Sequence, residues 1–359
     1  MVSQASRVKI LGYLVIHILL ASGCQKTSAG RVREAYRKRC QGSDNWRLGG
    51  RLIDRLAGKN GLRCCRPTCV VIYHCPGRNI PFKEPFNVIQ VSVLGIPHDQ
   101  NSSYLRGSAE APPLIRRELY SDAYNSWTET GIDLSAGRFR DCGDVAFEGS
   151  SDDWQTIEDR VGVEIENGSP LICLGGDHAI THPVLRAFHQ RFGDITIVHI
   201  DAHPDLYDSY QDNRRSHASP FARIMEERLA SRLIQIGLRT INDHQREQFG
   251  RFGVEPHEAR HWRDGISLAI STPVYVSMDI DALDPAFAPG VAHREPGGLT
   301  TRQVIDLIQS ISQPVVGADV VEYNPRCDVA GMTATVAAKI VKELAGMMVL
   351  NAVAAPSLA

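Results

Sequence analysis

From residue 86 onward the apolar positions fall into short β-branched runs, separated by longer stretches in which apolar residues recur every three or four positions. The runs predict strands at NVIQVSVLG (87–95), LICLG (171–175), ITIVHID (195–201), LIQIGLR (233–239), VYVSMDID (274–281) and VVGADVVEY (315–323). The amphipathic stretches predict helices at WQTIEDRVGVEIEN (154–167), HPVLRAFHQRF (182–192), SPFARIMEERLASR (219–232), TTRQVIDLIQSI (300–311) and TATVAAKIVKELAGMMV (333–349). Several strands are apolar almost throughout, as in a parallel sheet with helices on both faces. The alternation implies the α/β class: a three-layer α/β/α domain with a mainly parallel sheet. No internal repeat or low-complexity tract interrupts it.

The text before residue 84 has another character, which divides the chain into an N-terminal extension (1–83) and the α/β domain (84–359). Residues 9–24, KILGYLVIHILLASGC, carry an apolar core of about a dozen residues after a short basic start, closer to a secretory h-region than to a membrane span. The LASGC text also resembles a lipoprotein cleavage site. Residues 31–83 are arginine-rich and acid-poor, the bias of an organelle transit sequence. The extension therefore reads as a signal or lipoprotein sequence, as a transit segment, or as an unstructured appendage, and a cytoplasmic or mitochondrial location is favoured. A membrane-tethered binding protein is the reading that its apolar run alone suggests.

Composition narrows the partners rather than the fold. With 43% hydrophobic and 22% charged residues, the 359-residue chain is ordinary globular material. A net charge of -2 gives no signal for nucleic acid or for a stable membrane partner. Of the nine cysteines only Cys142, Cys173 and Cys327 lie in the α/β domain, where they read as reduced thiols. The CCRPTC cluster lacks the paired spacing of a zinc site.

In such a sheet ligands gather at the carboxyl ends of the strands. Three motifs fall there. LICLGGDH delivers Asp177 and His178, with Gly175 and Gly176 letting the backbone turn. HIDAHPD delivers Asp201, His203 and Asp205 at alternate positions, which places them on one side if the strand continues. SMDIDALDP delivers Asp279 and Asp281 with the same spacing. Each motif alone is also consistent with a capped or tight turn. Together, Asp201, Asp205, Asp279, Asp281, His178 and His203 on one sheet edge would repel and resist desolvation unless cations neutralised them. Oxygen and imidazole donors without thiolate favour a hard or borderline metal such as manganese, in numbers sufficient for two ions.

The motifs GGDH, DAHPD and SMDIDALDP, in this order, resemble those of the ureohydrolase family of arginases and agmatinases, over about residues 88–349. SHASPFARIME and DPAFAPGVAHREPGGLT are particularly similar to plant-type arginases and bacterial agmatinase-like proteins. The resemblance implies an arginase-like fold and two manganese ions. One would be held by His178, Asp201, Asp205 and Asp279, the other by Asp201, His203, Asp279 and Asp281, with Asp201 and Asp279 bridging. It implies hydrolysis of a small guanidino substrate to urea and an amine by water activated between the ions, with Asp281 assisting proton transfer. His217 would shuttle a proton to the leaving amine, and Glu322 would bind the guanidinium. A homo-oligomer, trimer or hexamer, is implied too.

Asn242 stands where animal arginases keep an aspartate for the α-amino group, and Glu295 resembles an acidic position of agmatinases, so both are expected to contact substrate. Arg214 and Arg215 read either as carboxylate partners or as solvated loop charges. These features lean toward agmatine, giving putrescine, with arginine or another guanidino acid as the alternative. A one-zinc deacetylase relative and a catalytically silent relative are the rival readings. The complete ligand set argues against both.

Overall fold

A computed structural model describes residues 89–354, apart from 136, 150–151, 167 and 263–267. The extension 1–83, with its apolar run and cysteine cluster, lies outside the described residues, as do the first two residues of the predicted strand at 87–95. The described strands are β1 (Val91–Gly95), β2 (Phe139–Asp144), β3 (Leu171–Leu174), β4 (Thr196–Ile200), β5 (Arg232–Leu238), β6 (Glu255–Glu258), β7 (Val274–Asp279) and β8 (Val315–Val321). They form one eight-stranded sheet in the order β2-β1-β3-β8-β7-β4-β5-β6, every pairing parallel.

Alternate residues of the central strands feed two separate cores. Val93, Ile172, Leu174, Val198 and Ile200 join the core covered by α1 (Ala111–Leu119), α6 (Thr301–Ser310) and α7 (Met332–Ala354). Their neighbours Leu94, Leu171, Cys173 and Ile197 join the opposite core, under α2 (Asp153–Ile165), α3 (Thr181–Phe192) and α4 (Pro220–Glu226). Three layers follow from a period of two with both faces apolar. Each fully buried Leu, Ile or Val contributes about 1.5–3 kcal/mol, so the middle of the sheet is the rigid part. A further helix, α5 (Asp243–Phe252), packs Phe249 and Phe252 on the second core. No described helix is long and apolar enough to cross a membrane.

Three local differences from the sequence reading matter. The edge strands β2, FRDCGD, and β6, EPHE, are polar and partly exposed, so hydrophobic patterning passes over them. The helix expected over 219–232 stops at Glu226, because Arg228 takes a left-handed backbone (φ 56°) and the chain turns into β5. The strands expected to run through Asp201 and Asp281 end earlier, at Ile200 and Asp279. Strand alternation therefore does not align the ligand carboxylates. Turns do so: Asp205 is left-handed (φ 51°), and Asp281 sits in a 3-10 turn capped by Asp279, whose side chain accepts the Asp281 N–H.

Candidate metal centre

The four strands β3, β8, β7 and β4 are neighbours at the middle of the sheet, and their carboxyl ends carry every proposed ligand. Gly176 makes this convergence possible. It passes so close to the loop after β1 that a Cβ would overlap the His98 carbonyl, while its own carbonyl accepts the Glu322 N–H at 2.9 Å. Asp177 then caps the 3-10 turn His178–Ile180 and also accepts the Asn101 N–H at 2.9 Å.

His178 is fully buried, and its Nδ1 stands 3.1 Å from one oxygen each of Asp201, Asp205 and Asp279. Despite that proximity, Nδ1 makes no hydrogen bond of good geometry with any of the three. Such spacing fits ligands arranged about a common cation, since metal–ligand bonds of about 2.2 Å give octahedral edges of about 3.1 Å. A second group shares Asp201. His203 Nδ1 lies 3.0 Å from Asp281 Oδ2 and 3.4 Å from Asp201 Oδ1, whereas Asp201 Oδ2 faces His178. Donor atoms of Asp201, His203 and Asp281 lie within 4.8 Å of one another, and those of His178, Asp201, Asp205 and His199 do likewise. Asp279 contributes one oxygen toward His178 and uses the other on the Asp281 N–H, so its contacts place it with the first group only.

Electrostatics agree with this geometry. Burial pushes the His178 imidazole down, but the three carboxylates reverse that and hold its pKa well above the ordinary value. His203 behaves the same way beside Asp281 and Asp201. Burial, then repulsion from Asp281 and Asp201, drives Asp279 well above the carboxylate range, and burial raises Asp281. Two imidazoles do not balance the buried carboxylates, and divalent cations would.

Outer contacts fix the first ring, through residues that sequence reasoning missed. His178 Nε2 meets Ser277 Oγ at 2.9 Å, and that hydroxyl donates to Asp319 Oδ1 at 2.7 Å. Asp319, fully buried, also accepts from Tyr275 (2.7 Å) and Thr181 (2.9 Å). With Nε2 hydrogen-bonded outward, Nδ1 is left as the free donor atom for a cation.

Glu322 follows β8 with a left-handed backbone (φ 62°), a conformation costing about 1 kcal/mol or more and concentrated at functional positions. Its Oε1 accepts the His178 N–H at 2.9 Å and meets His217 Nδ1 at 2.9 Å, while His217 Nε2 meets Ser103 Oγ at 2.8 Å. Burial lowers His217, but the Glu322 charge outweighs it and lifts the pKa to about 9. Glu322 is raised by burial and lowered further by His217 and the His178 N–H, ending below its ordinary value.

These groups open into a cavity of about 240 Å³, whose wall includes His203, Asp205, Asp279, Asp281, His217 and Glu322. The wall also carries Tyr207, Thr240, Gln245, Glu295 and His293, the last in ring contact with His203 and His217 at 6.0 and 5.3 Å. Two wall atoms are buried without a partner, Gln245 Oε1 and His293 Nε2. Glu295 lies on the cavity wall. Asn242 is not on the wall: its Oδ1 caps α5 by accepting the Gln245 N–H at 2.9 Å, and its Nδ2 donates to Tyr207 Oη at 2.7 Å. Arg215 is exposed and paired with Asp152 at 2.9 Å, and Arg214 with Glu226 at 3.1 Å, as solvated loop charges would be.

Fold and donor set together define a three-layer α/β protein with two groups of oxygen and imidazole donors that could hold divalent cations. The Arginase family model matches residues 89–346. Arginase 1, mitochondrial, of Arabidopsis thaliana is 48% identical over 273 residues, covering 71% of this chain and 80% of that protein. N(1)-aminopropylagmatine ureohydrolase of Thermus thermophilus is 34% identical over 261 residues, covering 67% and 85%. The solved arginase from Medicago truncatula superposes with a TM-score of 0.70 at 45% identity, covering 73% of this chain and 88% of that one. The chain belongs to the arginase family, hydrolases of guanidino carbon–nitrogen bonds.

Proposed function

We propose that this protein is an arginase, hydrolysing L-arginine to ornithine and urea with two divalent cations, manganese being the expected metal. The observation carrying the chemistry is the pair of buried His/Asp groups that share Asp201 and meet Glu322 and His217 in one cavity. The preference for arginine over the agmatine suggested by sequence features rests on similarity: identity is 48% to a plant arginase against 34% to an aminopropylagmatine ureohydrolase.

His178, Asp201, Asp205 and Asp279 would hold one cation, and Asp201, His203 and Asp281, with Asp279 as a further candidate, would hold the other. Bound cations supply a water of lowered pKa and a positive field. The protein does the rest. Glu322, kept ionised, accepts guanidinium N–H bonds and aligns the planar carbon. Asp281 on the wall assists removal of the proton from the attacking water. His217, protonated at neutral pH, delivers a proton to the departing amine.

The amino-acid end is left to the wall residues outside the donor groups. No lysine or arginine lines the cavity among the described residues, so the α-carboxylate meets neutral donors such as Tyr207 Oη, whose oxygen already accepts from Asn242 and whose hydrogen is free. Gln245 Oε1 and Glu295 suit the α-ammonium. Asn242 acts through Tyr207. The extension's basic stretch fits an organelle address, as in relatives named mitochondrial, and fractionation of the chain with and without residues 1–83 tests that.

The deciding experiment measures urea released from arginine, agmatine and guanidinobutyrate by the manganese-loaded protein. Arginine should lead by at least about tenfold in kcat/KM, a transition-state difference of about 1.4 kcal/mol. A preference for agmatine overturns the substrate assignment, and release from none overturns the function.

A further inference from the structure

His199, two residues before Asp201, is not among the proposed ligands, yet it is fully buried in β4 with both ring nitrogens committed. Gln235 Nε2, from the neighbouring strand β5, lies 2.9 Å from His199 Nδ1 and 2.6 Å from the Pro204 carbonyl oxygen. That carbonyl requires a donor, because the reversed amide would set two oxygens against each other; the Gln235 nitrogen therefore faces both groups. An amide nitrogen only donates, so His199 Nδ1 accepts and its hydrogen resides on Nε2. Nε2 then donates to Asp201 Oδ2 at 2.7 Å. Phe221 stacks on His199 at 3.9 Å and meets His178 edge-on at 5.3 Å, covering both rings.

One half of the shared carboxylate is affected more than the other. Oδ2, bonded to His199, is the oxygen facing His178. Oδ1 faces His203 and accepts the His203 backbone N–H, at 2.6 Å. Gln235 at the same time ties down Pro204, in the turn between His203 and left-handed Asp205. We propose that His199, anchored by Gln235, is a positioning residue that fixes the plane of the Asp201 carboxylate for the pocket of His178 and Asp205, making the two cation sites of this chain unequal. The inference rests on the two-cation reading of the cluster.

Manganese titration of the metal-free full chain, followed by calorimetry and by the electron paramagnetic resonance of free ion, tests it. Outer contacts of metal ligands are typically worth about 10- to 100-fold in affinity. His199→Leu should weaken one of two sites by about that factor and leave the other within about threefold. His199→Gln, which keeps a donor near the Nε2 position, should recover most of the loss, and Gln235→Met should reproduce part of it. The circular dichroism of each variant should match the parent. Two unchanged sites in His199→Leu, equal weakening of both, or no recovery in His199→Gln overturns the positioning role while leaving the two-cation reading intact. Loss of a coordinated-imidazole signal in His199→Gln overturns it as well, by making His199 a ligand. A parent protein that binds no manganese overturns both this inference and the reading beneath it.

Discussion

Replacing Ser277 by alanine separates the support of the metal centre from the centre itself. The Ser277 hydroxyl bridges His178 Nε2 (2.9 Å) and Asp319 Oδ1 (2.7 Å), and all three residues are fully buried. Without it the His178 Nε2–H has no acceptor in a site closed to water, which costs about 1–3 kcal/mol. Asp319 loses one of three hydroxyl donors and keeps those of Tyr275 and Thr181. A total of about 2–4 kcal/mol off the folding stability follows, since charged-acceptor bonds exceed the neutral average but do not add fully. His178 also loses the contact that aims Nδ1, so manganese affinity should drop about 10- to 100-fold, or about 1.4–2.7 kcal/mol. Urea denaturation of the metal-free protein reads the first quantity, and manganese titration of the folded variant reads the second. Tyr275→Phe is the control: it removes a donor from Asp319 but nothing from His178, so stability should fall by about 1–2 kcal/mol with metal affinity unchanged. Equal manganese affinity in parent and Ser277→Ala, or an equal loss in Tyr275→Phe, refutes the reasoning.

Two other outcomes follow from the same structure. Glu322→Gln keeps the size and backbone of the residue but removes the charge facing the guanidinium; kcat/KM should fall by about 100-fold or more while metal stoichiometry stays constant, checked by steady-state kinetics and metal analysis. His182 is buried, its Nδ1 accepting from Trp154 Nε1 at 3.3 Å and its Nε2 meeting Glu227 at 3.0 Å. Burial lowers its pKa to about 4 against Glu227's opposing pull, from an ordinary 6.5. Between these values the unfolded chain binds a proton that the folded one refuses. Stability is thus full above pH 6.5 and declines as pH falls toward 4, by about 3 kcal/mol from this residue. His182→Gln should flatten the denaturation midpoint over that range relative to the parent, and an identical pH profile counts against the assignment.

The proposed ligands were legible as a group, because three motifs bearing carboxylates and imidazoles follow β-branched runs and parallel strands deliver their carboxyl ends to one edge; each motif alone also reads as a turn. The strands that precede them, β3, β4 and β7, are buried on both faces and mostly apolar, and stand out for the same reason. Alternation suggested how Asp201, His203 and Asp205 align, but the left-handed turn at Asp205 does the aligning, and backbone handedness at a non-glycine residue leaves no mark in the residue pattern. His199 carried a weak signal, a histidine inside an apolar strand at the same spacing as the ligands. Ser277, Asp319 and Gln235 carried none, since a buried polar residue in a strand reads like any other until its partner from another strand is known. Asn242 had the right neighbourhood and a different contact, because capping α5 and holding Tyr207 use its amide.

The most direct test counts metal in active protein. Manganese quantified against chain concentration in fully active enzyme should give two ions per chain, falling to one in Asp281→Ala, which strips the His203 side while leaving the oxygens around His178. Full activity with one ion or none, or two ions retained after that substitution, contradicts the shared-carboxylate centre.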